Sequence, residues 1–207
     1  GCGDVGGTTT EASSNRAVYA AGIASFEPGP GAGHGQQRLP DVVLGPPDGA
    51  TSKGTATEVL SLGAGGSVTV DFASHAIVDG PGVDFIVFEN PFRTEYEEDG
   101  VWEELGEVAV SRDGENWKTY SCDPAPNPDG RWPGCAGWTP TRDYSPNTTS
   151  PLDPKVTGGD AFDLADVGLE QARYVRITDL SSEPNDPHAA GFDLDAVGTV
   201  HSTQVDP

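Results

Sequence analysis

The chain has 207 residues, and its 33 Asp and Glu against 11 Lys and Arg give a formal net charge of −22. A surplus of that size repels nucleic-acid phosphates and anionic membrane surfaces at long range, which argues against a nucleic-acid partner. No run of about eighteen apolar residues is present to span a bilayer as a helix, and 28 Gly with 18 Pro favour short strands joined by many turns.

Residues 1–16 (GCGDVGGTTTEASSNR) are small and polar, with too little apolar surface to offset the entropy of ordering. They read as an N-terminal tether, and 17–207 as a single domain. Gly1-Cys2-Gly3 resembles the processed end of a bacterial lipoprotein, which implies lipidation of Cys2. A lipid anchor would then be the only hold on a membrane, and the protein would be extracytoplasmic, either on the cell surface or secreted.

Ala17–Ala20 suggests a first short strand, and the Gly-rich stretch from Pro28 to Gln37 a loop. Leu39–Gly49 closes a short apolar segment with a Gly-Pro-Pro-Asp-Gly turn. Val59–Gly63 and Ser67–Phe72, joined by Gly65-Gly66, read as a hairpin. Asp84 then feeds Phe85-Ile86-Val87-Phe88, four consecutive apolar β-formers stopped by Glu89-Asn90-Pro91. That pattern predicts a strand buried on both faces with oxygen ligands at both ends.

From Arg93 to Gly106 the chain turns acidic, with Tyr96 and Trp102 among the carboxylates. Aromatic rings beside carboxylates suit a sugar-binding face, because a ring stacks on a pyranose while carboxylates accept its hydroxyls. Glu107–Ser111 and Lys118–Tyr120 form a second hairpin, with Asp113-Gly114 at its tip. Residues 121–158 are the longest irregular stretch and carry Trp132 and Trp138 as further candidate sugar contacts. Cys122 and Cys135 flank a Pro- and Gly-rich loop where a disulfide would remove about 3 kcal/mol worth of unfolded-chain freedom. Such a bond implies an oxidising compartment.

Asp160, Asp163 and Asp166 recur every third residue, a spacing that one helical turn or a tight loop would bring together. Arg173–Asp179 alternates as a strand. In Gly191–Val200, also read as a strand, Asp193 and Asp195 share one face, a cost unless a cation or donor sits between them. Calcium takes six to eight oxygens from carboxylates and carbonyls in such turns. The candidate calcium ligands are Asp84, Glu89, Asn90, Asp160, Asp163, Asp193 and Asp195, divided among one site or two, with the carboxylate-tipped segments as walls around a cation at the sandwich rim.

Three short segments carry a family resemblance. Ser67–Phe72 is similar to the early strand of the discoidin or coagulation-factor C-terminal type domain, Ser111–Trp117 to its S-x-D-G-x-x-W hairpin, and Ala172–Ile177 to its A-R-Y-V-R-I strand. The middle of the chain resembles bacterial cell-surface lipoproteins of undefined role. The resemblance, over roughly residues 39–200, implies a galactose-binding-like jelly-roll β-sandwich of about eight main antiparallel strands with long loops. It also implies a structural calcium and loops that bind glycans or other surfaces. Function is therefore expected to be non-catalytic calcium-dependent binding of polysaccharide or a surface protein. The alternatives are a structural accessory subunit with calcium as a loop staple, or a carboxylate-dependent hydrolase. The last draws only on the abundance of paired acids such as Asp193 with Asp195.

Overall fold

A computed structural model describes residues 17–47, 58–89, 92–93, 101–141, 152–181 and 191–206. In chain order the strands are β1 (Gly22–Glu27), β2 (Leu60–Ser61), β3 (Ser67–Asp71), β4 (His75–Val78) and β5 (Phe85–Glu89). There follow β6 (Phe92–Arg93), β7 (Val101–Trp102), β8 (Gly106–Ser111), β9 (Trp117–Thr119) and β10 (Cys135–Ala136). One helical turn, α1 (Pro154–Thr157), leads to β11 (Asp160–Phe162), β12 (Gln171–Ala172), β13 (Tyr174–Asp179), β14 (Asp193–Thr199) and β15 (Ser202–Gln204).

The main layers are a six-stranded sheet, β1-β3-β13-β8-β10 with β9 on β8, and a four-stranded sheet, β11-β5-β14-β2, with every pairing antiparallel. Their facing sides interdigitate. Val68, Val70, Val108, Val110, Val175 and Ile177 meet Leu60, Phe85, Val87, Leu194 and Val197 in one core, which makes the chain an all-β sandwich as its composition predicts. β13 shows why: its residues alternate half-buried and buried along six positions, the period-2 pattern of a strand with one wet face.

β5 is buried at all five positions, as the unbroken apolar run foretold. Phe85 and Val87 enter the main core, while Ile86 and Phe88 enter a second one with Ala17, Leu152 and Ala196 on the other side of the sheet.

Other expectations are corrected. The segments at 59–63 and 67–72 are not a hairpin, because β2 pairs with β14 while β3 pairs with β1 and β13. The Gly-rich turn between them carries the chain from one sheet to the other. It is packed too closely for a side chain, since a Cβ on Gly66 would lie 2.0 Å from the Leu62 carbonyl oxygen. The first strand is β1 rather than 17–20, where only Tyr19 bridges to Gly198.

Candidate functional site

Antiparallel pairing divides the predicted ligands between the two ends of β5. Phe162 and Thr199 stand opposite Phe85, so Asp163 and His201 lie with Asp84 at one end. Leu194 stands opposite Glu89, so Asp193 and Asp195 belong to the other. Five extended residues put roughly 15 Å between these ends, so Asp84 and Asp163 cannot share an ion with Asp193 and Asp195.

At the first end the carboxylates of Asp79, Asp84 and Asp163 each offer an oxygen within 4.8 Å of the others. Asp84 is fully buried. Its carboxylate accepts from Gly80 N–H at 2.8 Å and Leu164 N–H at 2.8 Å, and is 2.8 Å from His201 Nδ1. The turn before β5 is shaped for this contact. A Cβ on Gly80 would lie 2.3 Å from His201 Nδ1, so the Asp79-Gly80 pair lets the imidazole close over the carboxylate. Asp163 caps a short 3-10 helix by accepting from Ala165 N–H at 2.9 Å, and Asp79 is exposed.

Each carboxylate oxygen has two lone-pair sites. Asp84 Oδ2 and Asp163 Oδ1 each take one N–H donor, so each has capacity for a cation beside it. Three monodentate carboxylates with water fit the oxygen-rich shell of calcium.

The remaining predicted ligands go elsewhere. Asp160 stands on β11 opposite Val87, not on a helical turn with Asp163, because residues 160–162 are extended and point Asp160 inward beside Phe162. Its carboxylate accepts from three consecutive N–H groups: Gly137 at 2.6 Å, Trp138 at 3.2 Å and Thr139 at 3.1 Å. Burial pushes its pKa up to about 6 against the pull of those donors.

Asp193 accepts from the Ser61 hydroxyl, and burial raises its pKa, with Ser61 and His34 opposing and Asp179 adding to the rise. A bulge between Leu194 and Ala196 takes Asp195 out of the alternating register expected for it beside Asp193. Glu89 and Asp195 are both buried. Asn90 lies outside the described residues.

The predicted sugar contacts fare unevenly. Trp132 is buried, with its indole N–H donating to the Ala125 carbonyl at 3.0 Å, so it packs the loop and is not a surface platform. Trp138 is half-buried and donates to the Cys135 carbonyl at 3.1 Å. Tyr96, the side chain of Trp102 and the candidate lipidation residue Cys2 lie outside the described residues. Cys122 and Cys135 form the expected disulfide, with a Cα–Cα separation of 4.8 Å.

Sequence reasoning missed three elements. His201 gave no spacing signal, because its partner lies 117 residues away. Asp179 is buried and accepts from Gly65, Ser181 and Phe192 N–H groups at 2.8 to 3.0 Å, a role hidden in an ordinary strand end. Tyr174 and Arg176 were legible in principle, since the parity of Val175 and Ile177 sends both to the outer face. Compared with known protein families and with curated proteins, the chain matches none of them.

Proposed function

We propose that this chain is a non-catalytic, extracytoplasmic binding module of the galactose-binding-like jelly-roll type. In this reading it holds calcium at one rim of its sandwich and contacts polysaccharide or a surface protein. The observation that carries the calcium reading is the group Asp79, Asp84 and Asp163, which draws ligands from the turn before β5, the start of β5 and the end of β11. An ion there would join segments about 80 residues apart in sequence. The disulfide supports an oxidising compartment.

Thermal unfolding with added calcium, and again after a chelator, tests the metal. Metal that binds only the native state adds about 2.7 kcal/mol at a hundredfold excess over Kd. In a domain of this size that raises the midpoint by roughly 5–10 °C. Asp79→Asn, at an exposed position, should remove most of the shift and leave the metal-free midpoint unchanged. An unmoved wild-type midpoint, together with no metal by elemental analysis, sinks the proposal.

A second reading is an accessory subunit in which calcium only staples loops. The inward position of Trp132 favours it, because that ring cannot stack on a sugar. Binding to a glycan panel separates the two, and co-purification with one fixed partner and no glycan binding would favour the accessory role.

A further inference from the structure

The outer face of the six-stranded sheet carries an arrangement of its own. Register places Tyr174 between Asp71 and Ser111, with Trp117 beyond Ser111. The next row is Thr69, Arg176, Ala109 and Thr119, and the third is Ser67, Thr178 and Glu107. Arg176 crosses β8 over the small Ala109 to lie on the Trp117 ring, 4.1 Å from its centroid. The indole is fixed in turn, its N–H donating to the Gly114 carbonyl at 3.1 Å at the hairpin tip.

Among the described residues, no hydrogen bond or ion pair reaches the Arg176 guanidinium. That is unexpected with three acids to every base in the chain, and with Asp71 and Glu107 in the rows on either side. The contact with the indole, itself tied to the Gly114 carbonyl, restrains the guanidinium. Its donors keep their in-plane fork geometry, which matches a carboxylate bidentately and loses little rotamer freedom on binding. Thr69 is buried, while around the guanidinium, in the neighbouring register positions, stand Thr119 and Thr178, together with Asp71 and Glu107. Those are acceptors for a ligand rich in hydroxyl groups.

We propose that this face binds a saccharide bearing a carboxylate, a uronic-acid unit, with Arg176 holding the acid group and Asp71, Glu107, Thr119 and Thr178 holding hydroxyls. The inference rests on the glycan-binding reading above and places the contact on the sheet face, away from the calcium rim. The net charge of −22 counts against dense polyanions and suits isolated carboxylates at a single fixed cation.

The test is calorimetric titration at low salt with trigalacturonic acid and a hyaluronan tetrasaccharide, each beside its methyl ester, and with xylohexaose as a neutral glycan. At least one acid form should bind, and its ester should bind about tenfold more weakly or worse, because esterification removes the charge that strengthens the hydrogen bonds. Arg176→Gln should lose that preference, and Arg176→Lys should recover only part of it because the fork is gone. In wild type the Arg176 Nε–H resonance should shift with the acid form and not with the ester, a readout that needs no variant. Equal binding of acid and ester, or an unmoved Arg176 signal on binding, overturns this inference and leaves glycan binding standing. Binding of neither uronates nor neutral glycan overturns both.

Discussion

Replacing Asp160 with Asn separates the two forces acting on its carboxyl group. Burial raises the pKa from the ordinary 3.8 to about 6, while the Thr139 side chain and the N–H groups of Gly137, Trp138 and Thr139 pull it down. A rise from 3.8 to about 6 corresponds to about 3 kcal/mol between pH extremes. The folded protein holds this proton more tightly than the unfolded chain does. Stability from Asp160 is therefore complete below pH 3.8 and is lost as pH rises through about 6, the reverse of an ion-paired carboxylate. Asn at this position has no such dependence. Urea unfolding of both proteins between pH 4 and 8 cancels the other carboxylates in the difference. Wild type should lose about 2 kcal/mol relative to Asp160→Asn across that range. A flat difference would show that the donors balance burial, and one of opposite sign that they outweigh it and that the anion is the resident form.

Asp84→Ala leaves the buried Leu164 N–H and the part-buried Gly80 N–H without their acceptor, at about 1–3 kcal/mol for each buried donor. Its urea midpoint should fall by an amount equivalent to about 3–5 kcal/mol, and a loss below about 1 kcal/mol would mean that water replaces the carboxylate. Trp132→Ala should cost about 3–5 kcal/mol, as for other buried aromatic side chains. Trp138→Ala, at a half-buried ring, should cost clearly less, and equal losses would contradict the difference in burial. Cys122→Ser with Cys135→Ser removes a crosslink of 13 residues' separation and should destabilise by about 3 kcal/mol. Reducing agent should then have no further effect on the variant, although it lowers the wild-type midpoint.

The elements legible in the sequence were those whose partners lie close by or whose pattern is self-contained. The Asp113-Gly114 hairpin is one. Ser111 Oγ accepts from Gly114 N–H at 2.9 Å and donates to the Asn116 carbonyl at 2.7 Å, and Asp113 accepts from the Glu115 and Asn116 N–H groups. Every bond is local, so the motif alone carries the turn, and those bonds hold the Asp113 pKa well below the ordinary carboxylate range. β5 is another, because an apolar run needs no partner to be recognised. The apparent hairpin across Gly65-Gly66 failed because its two segments carry the same alternation whether they pair with each other or with strands from opposite sheets. Only long-range pairing with β13 and β14 decides between these. The triplet of Asp160, Asp163 and Asp166 failed for a similar reason: spacing by three converges on a helix and diverges where the first residue sits in a strand.

The abundance of acid, which first suggested calcium, has a second physical use in this fold. Asp84, Asp160 and Asp179 are buried carboxylates whose partners come largely from backbone N–H groups in turns distant in sequence. Each therefore pins loops to the sandwich much as a bound cation would, with the charge compensated by converging donors. Composition cannot distinguish the two uses, because both need carboxylates beside Gly-rich turns. Geometry does, since a pin points its oxygens at N–H groups whereas a metal ligand points them at other carboxylates. Asp160, Asp179 and Asp84 act as pins, and Asp84, besides accepting from Gly80 and Leu164, has an oxygen within 4.8 Å of oxygens of Asp79 and Asp163. A calcium ion at that rim would thus add to a turn already held by Asp84. Chelation should lower the unfolding midpoint while leaving the near-ultraviolet circular dichroism of the folded state unchanged. Loss of that signal on chelation would mean that the N–H pins are too weak to hold the loops without metal.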